Sequence, residues 1–310
     1  MPDLETRAIW IQRPSGLWIP EGTHTKFFKQ GMQSYKEIKT MAVEVRELYD
    51  LKKIPLHPTC ELAVIINAAV VLADEWESQG IFIPDNSNAA VIKASNTYRI
   101  AQAILSIKSE PNITLHLKRL TTGDLKATAS GISEAKNFLW EVDVFHILKT
   151  SGLSPIFVEP PDIQVSINGT TLSIACKKIY SEENFNKPLS TAVKQIKRSK
   201  CHGIVAINID EAIQSTAGFS WSAQKAVSDW LVNENVNFYQ RHGTKLKEYL
   251  TTQRVLGYLV SSSITADVQT NSPRLTNVSQ GSFWNLPDIP AEPKALIKAF
   301  YGALQTKEVI

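Results

Sequence analysis

The chain has 310 residues, of which 43% are hydrophobic and 20% charged, with a formal net charge of +3. This is the composition of an ordinary soluble globular protein long enough for two packed units, and its mild positive balance permits a nucleic-acid partner without arguing for one. The three cysteines, Cys60, Cys176 and Cys201, are odd in number, far apart and without a CxxC pair; this argues against a disulfide framework or a zinc site and fits a cytoplasmic protein.

In chain order, residues 1–30 have no clear period and are expected to be irregular or short strands. A helical pattern covers Ser34–Leu51, and a second helix follows His57-Pro58-Thr59 and runs to about Ser78. Its apolar stretch, Leu62–Ala73, is interrupted by Asn67 and is too short to span a bilayer, and Met1–Pro14 has no apolar run of signal-peptide length. No membrane partner is therefore expected. A loop and cap at Asn86–Asn88 precede a third helix over Ala89–Ser106, and residues near 110–130 are expected to be irregular. From Ser133 the pattern changes. A helix over Ser133–Lys149 precedes three short β-rich runs, Ile156–Glu159, Asp162–Ile167 and Thr171–Lys178. A helix over Lys187–Lys200 then leads to Gly203–Ile209, a continuous apolar run that predicts a central strand covered on both faces. A long helical region over Ser222–Thr252, strands over Val255–Ile264 and Ser279–Trp284 (the last at an edge), and a helix from Pro293 to Gln305 complete the chain. The expected class is α/β (α+β mixed), with a mainly helical domain over 1–130 and a second domain over 131–310.

The informative segment is PPDIQVSINGTTLSIACKK, residues 160–178. Asn168-Gly169 is a strong hairpin signal, because a type I′ turn needs positive φ at both central residues. A two-residue loop there pairs Ile167 with Thr170, Val165 with Leu172, Ile163 with Ile174, Gln164 with Ser173 and Asp162 with Ala175. One face then carries Ile163, Val165, Ile167, Leu172, Ile174 and Cys176 and belongs against a core. The other carries Asp162, Gln164, Ser166, Ser173, Ala175 and Lys177. A carboxylate at 175 would sit roughly 5 Å from Asp162 between Cβ atoms, a repulsive pair unless a hard divalent cation lay between them. The alternative is a hairpin with one solvated face.

Two neighbours bear on that choice. Glu141, in NFLWEVDVFHIL, falls on a helical wheel between Phe138, Phe145 and Leu148, where a charge is costly unless paired or metal-bound; a buried salt bridge remains the alternative. Asp143 falls on the side shared with Lys136 and reads as a surface ion pair. In the helix after the hairpin, Phe185, Leu189, Ala192, Val193 and Ile196 make a buried stripe flanked by Gln195. Lys187, Lys194, Lys197 and Arg198 lie away from it. Residues 177–200 hold seven basic and two acidic residues, a run suited to a phosphate backbone, although a solvated helix face would look the same. The six histidines show no ligand spacing, Trp221 and Trp230 are expected to pack in a core or interface, and there is no phosphate-binding GxxxxGK[ST] loop.

Residues 133–210, about a quarter of the chain, resemble the PD-(D/E)XK nuclease superfamily, which includes the restriction endonucleases. The family pattern is an acidic residue on a helix, then Pro-Asp, then (Asp/Glu)-X-Lys on the next strand, often with a Gln on the following helix. Here those positions are Glu141, Pro161-Asp162, Ala175-Cys176-Lys177 and Gln195. The resemblance implies a restriction-endonuclease-like αβββαβ core and hydrolysis of phosphodiester bonds assisted by Mg²⁺ or Mn²⁺, on DNA in preference to RNA. It also implies a metal held by Asp162, the residue at 175 and the Cys176 carbonyl, with Glu141 on a second metal or its water. Lys177 would orient the attacking water, and Lys178, Lys187, Lys194, Lys197 and Arg198 would meet the nucleic-acid backbone. Stand-alone nucleases with an added helical domain are often antiviral defence effectors, and homodimerisation stays open. The departure is Ala175, where the family has a carboxylate. Either it replaces that carboxylate by design, which the retention of Asp162, Lys177 and Glu141 favours, or the chain is a degenerate relative that binds nucleic acid or acts as a scaffold without cutting.

Overall fold

The computed structural model describes residues 10–12, 18–20, 24–28, 35–79, 88–125, 132–213, 220–252, 254–270, 275–286 and 290–305. Three short strands, β1 (Trp10–Gln12), β2 (Trp18–Pro20) and β3 (His24–Phe28), precede helices α1 (Tyr35–Leu51), α2 (Glu61–Gln79), α3 (Asn88–Ser106) and α4 (Ile113–Thr121). The irregular stretch expected near 110–130 thus holds a helix, whose buried face is Ile113, Leu117 and Leu120. Of the loop and cap expected at Asn86–Asn88, residues 86 and 87 lie outside the described residues. The second half runs α5 (Glu134–Thr150), β4 (Pro155–Phe157), β5 (Ile163–Ile167), β6 (Thr170–Lys178), α6 (Asn186–Ser199), β7 (His202–Asn208), α7 (Asp210–Ile213), β8 (Ser220–Trp221), α8 (Gln224–Thr252), β9 (Val255–Val268), β10 (Leu275–Trp284) and α9 (Ala291–Gln305). The class is mixed α/β.

One sheet organises the chain in the order β3-β10-β9-β7-β6-β5-β4, with β8 against the end of β9. β6, β7 and β9 are parallel neighbours, and the outer pairs are antiparallel. β7 is central, as its unbroken apolar sequence requires. β10 is not an edge strand, because β3 from the start of the chain pairs with its far side. The hairpin has the expected register: Ile163 pairs with Ile174, Gln164 with Ser173, Val165 with Leu172 and Ile167 with Thr170. Its turn places Asn168 at φ 51° and Gly169 at φ 79°, the two left-handed positions that only Asn, Asp and Gly adopt readily.

Both faces of the sheet are covered. Ile163, Val165, Ile167, Leu172, Ile174 and Cys176 join one core with helices α1–α5 and α9. Ala175, Val205, Ile207 and Tyr258 join a second core with α6 and α8. The alternative of a hairpin with one solvated face therefore fails at Ser173 and Ala175, both 0% exposed, while Ser166 on that face is exposed. α6 packs so closely that a Cβ at Gly203 would lie 2.7 Å from the Ile196 side chain. The division at residue 130 is not a break in the core: α1–α4 bury their apolar faces in the same cluster as the sheet and α5. α5 itself is held at its start by Ser133, whose hydroxyl accepts from the Lys136 N–H. It lies between those helices and the sheet, and Trp140 donates to the Ala206 carbonyl at 3.0 Å. It is consequently buried nearly all round.

Candidate functional site

The site is built where the hairpin ladder ends. The register stops at Ile163, and Asp162, one residue before it, turns its carboxylate to the backbone of β6. Asp162 Oδ2 accepts the Cys176 N–H at 2.6 Å and the Lys177 ammonium at 3.3 Å. Asp162 Oδ1 accepts the Gln195 amide at 3.1 Å, and the same amide nitrogen donates to the Pro161 carbonyl at 3.2 Å. Lys177 also donates to the Cys176 carbonyl at 2.7 Å. Asp162, Lys177 and Gln195, far apart in sequence, are thus brought onto one carboxylate. Gln195 can reach because it flanks the stripe of α6, whose Leu189, Ala192, Val193 and Ile196 face the sheet; its Oε1 is buried and has no partner. Burial lifts the Asp162 carboxyl above the ordinary aspartate range, against the opposing pull of Lys177 and the Cys176 N–H.

Glu141 approaches from α5. Burial pushes its pKa up to about 8, and the charge of Asp162 adds to the rise, while Arg119 and Lys177 oppose it. It therefore shares an electrostatic environment with the hairpin. Its ion pair, however, is with Arg119 of α4 at 3.5 Å, the salt-bridge alternative, so the expected role of Glu141 on a metal beside Asp162 is not supported. Arg119 lies 4.1 Å above the Phe138 ring, and its side chain stays 42% exposed. Sequence reasoning missed Arg119, because Lys118-Arg119 on a short helix looks like any solvated pair. Glu159, at the exposed approach to the hairpin, adds a smaller negative contribution to both Glu141 and Asp162.

The donor set as it stands does not fit a divalent ion. Among the described residues no group of three or more His, Cys, Asp or Glu side chains is gathered as a metal would need. Both oxygens of Asp162 accept hydrogen bonds, the Cys176 carbonyl takes the Lys177 ammonium, Glu141 is paired with Arg119, and Ala175 offers no side-chain oxygen. The expected metal ligands Asp162 and Cys176 instead share the ammonium of Lys177, and the Cys176 thiol is turned into the apolar core.

Two expectations are corrected one residue further on. Lys178 is not a phosphate contact: its side chain is 7% exposed and donates to Asn208 Oδ1 at 2.7 Å, with Asp210 and Glu211 each 3.8 Å away. The strand alternation that points Lys177 toward α6 points Lys178 into the opposite layer. Asp143 is not a surface partner of Lys136. It is buried, held up to about 6 by that burial, and lies 4.0 Å from Arg99, while Lys136 pairs with Glu211 at 2.9 Å. The wheel misassigned Asp143 because α5 has no polar face to offer. Arg99 also bonds Ser263 and reaches Asp210, whose oxygens accept the N–H and hydroxyl of Ser263 at 2.7 and 2.8 Å.

Lys187, Lys194, Lys197 and Arg198 are exposed on α6 as expected. Trp221 and Trp230 pack on each other at 5.7 Å between ring centroids. No helix among the described residues is long and apolar enough to cross a membrane. No protein-family model, no curated protein and no solved structure matches this chain.

Proposed function

We propose that the chain binds the phosphodiester backbone of nucleic acid, DNA in preference to RNA, at a PD-(D/E)XK-type nuclease site inactivated at position 175. What carries the reading is the convergence on one buried carboxylate of the residues the family pattern names: Asp162 accepts from Lys177 and Gln195 at once, at the open end of a hairpin whose next position is Ala175. The element order α5-β4-β5-β6-α6-β7 supports this reading, since it is the αβββαβ order that the resemblance implies. On this reading Lys177 supplies positive charge at the reacting phosphate, Gln195 fixes the rotation of the Asp162 carboxylate, and the exposed cations of α6 hold the backbone on either side.

A second reading, a binding or scaffold protein that never cuts, is favoured by one observation: Ala175 is fully buried within an apolar cluster, a place where alanine is itself a good fit. The two readings part on restoration. Ala175→Glu and the shorter Ala175→Asp, assayed with Mg²⁺ or Mn²⁺ on single-stranded DNA, duplex DNA and RNA, should cleave at least one substrate, and Asp162→Asn in the same background should abolish the cleavage. Folded variants of both kinds that cut nothing would leave the binding reading in place and defeat the nuclease one.

A further inference from the structure

We infer that a nucleic-acid strand runs from the Asp162, Lys177 and Gln195 cluster along β5 toward the Asn168-Gly169 turn, on a shelf formed by β4 and β5 and walled by the basic flank of α6. This rests on the nucleic-acid reading above and extends it from one point to a path.

The path follows from where α6 lies. The helix packs over β6 and β7, with Ile196 close against Gly203, so β5 and the edge strand β4 project beyond its flank. Two side chains one helical turn apart tie that flank to the hairpin. Gln195 donates to Asp162 Oδ1 at 3.1 Å, and Ser199 accepts from the Ser173 hydroxyl at 3.0 Å. α6 therefore runs alongside the hairpin rather than across it. Gln164 donates in turn to the Ser173 hydroxyl at 3.4 Å. Asp162, Gln164 and Ser166 share one face of β5, and the pairing of Ile156 with Gln164 puts Ile156 on that face as well. Exposure rises along it: Asp162 is buried, Gln164 half-buried and Ser166 exposed, with Ile156 54% exposed beside them. The distance from Asp162 to Ser166 is about 13 Å at the rise of an extended strand.

Charge chooses the occupant. No acidic residue lies between Glu183 and Asp210, whereas Lys187, Lys194, Lys197, Arg198 and Lys200 do. Lys194 and Arg198 each precede one of the two tying residues, Gln195 and Ser199, by one position. They form a parallel row on the solvent side of the flank, and both are exposed. At the turn end of α6, Arg254 donates to the Lys200 carbonyl and adds another exposed cation. The shelf floor, Ile156, Gln164 and Ser166, carries no charge. Exposed Glu159 stands in the connection from β4 to β5, at the end away from the turn, so the cations favour the turnward direction. Cations in a row beside an uncharged floor suit a polymer with phosphates along one edge and bases along the other.

The test is fluorescence anisotropy in EDTA with labelled single-stranded DNA, duplex DNA and RNA, using the full chain and the variants Ser166→Glu, Ile156→Glu, Thr170→Glu and Lys177→Ala. Ser166 and Thr170 are both exposed and belong to one hairpin, but Thr170 pairs with Ile167 of the core-facing side. S166E and T170E thus add the same charge to opposite faces, and I156E adds it to the shelf from the neighbouring strand. The expected result is binding weakened about fivefold or more by S166E and by I156E, and less than about twofold by T170E, with the losses shrinking as salt is added. Melting temperatures should stay alike among the three. Either shelf variant binding as tightly as T170E, while Lys177→Ala still weakens binding, overturns the path and leaves the nucleic-acid reading intact. Polyglutamate that displaces the oligonucleotide at equal charge concentration overturns the choice of a nucleic-acid strand. No binding of any nucleic acid defeats both the path and the function it rests on.

Discussion

Two neighbouring lysines on one strand stand in opposite circumstances. Lys178 lies in a network in which Arg99, Lys136 and Lys178 meet Asp143, Asp210 and Glu211 between α3, α5 and the sheet, with further hydrogen bonds involving Asn208 and Ser263, although the Arg99 Nε is buried without a hydrogen-bond partner. Burial pushes the Lys178 amine down. Burial also pushes Asp210 up, but Lys178 and Arg99 outweigh it and hold that carboxyl below its ordinary range. Three cations face three anions, and each of the six has an opposite charge within reach. The Lys177 region is open by comparison. Asp162 and Glu141 both sit above their ordinary ranges, as Asp143 does in the other network, Gln195 keeps a buried oxygen without a partner, and the Arg119 side chain is 42% exposed. Full neutralisation of buried charge is what a structural network needs. Incomplete neutralisation beside an exposed cation is what a binding site retains. On the proposed reading, the difference separates a network that locks α3 and α5 to the sheet from one that would meet a ligand.

The comparison breaks first on stability. Lys178→Ala leaves Asp210 and Glu211 buried with a missing partner, and should cost about 3–5 kcal/mol in chemical denaturation. Lys177→Ala should cost only about 1–2 kcal/mol, because Asp162 keeps the Cys176 N–H and the Gln195 amide, yet it should weaken nucleic-acid binding about tenfold or more. Equal losses of stability from the two substitutions would remove the distinction between the sides.

A smaller effect lies in pH. The folded chain holds a proton on Glu141 up to about 8, whereas the same group in the unfolded chain gives it up near 4.5. The folded state thus binds more protons through that window, and stability should rise as pH falls from above 8 toward 4.5. Asp143, lifted to about 6 from 3.8, acts in the same direction over its own narrower window. Arg119, Lys177, Asp162 and Glu159 are the charges acting on Glu141 and, with its burial, set the upper end of that window. Glu141→Gln should flatten the slope between pH 6 and 9 by a few degrees of melting temperature. An unchanged slope would place the titrating group elsewhere. The smallest effects belong to α6: removing Lys194, Lys197 or Arg198 singly should weaken binding roughly threefold or less and lower the salt slope by up to about 0.9 for each phosphate no longer neutralised.

Much of this site was legible in the sequence because short-range rules decide it. Asn168-Gly169 fixes the turn, the turn fixes the register as far as Ile163, and Asp162 just beyond it meets the Cys176 N–H and Lys177; the stripe of α6 then carries Gln195 to Asp162. What was not legible depends on what covers each face. Alternation placed Lys178 opposite Lys177 but could not say that α3 and α5 would bury it, so it passed for a surface cation. A helical wheel assumes one solvated side, and α5, enclosed between the first helices and the sheet, has none; hence Asp143 was misplaced. Arg119 reaches the site only through the packing of α4 on α5, which leaves no mark on local spacing. β3 closing the sheet beside β10 is likewise a pairing across most of the chain's length.

The proposed reading turns on whether a carboxylate at position 175 lets a divalent ion replace the hydrogen bonds and ion pairs that Asp162, Cys176 and Glu141 now make. Cleavage assays depend on finding the right substrate, whereas metal binding does not. Calorimetric titration of Mn²⁺ into the unmodified chain, Ala175→Glu and Ala175→Asp, each checked for folding, therefore reads the site directly. The account predicts no binding at the site by the unmodified chain and one ion per chain in at least one variant, lost again when Asp162→Asn is added. Binding by the unmodified chain that Asp162→Asn removes, or no binding by either folded variant, would contradict it.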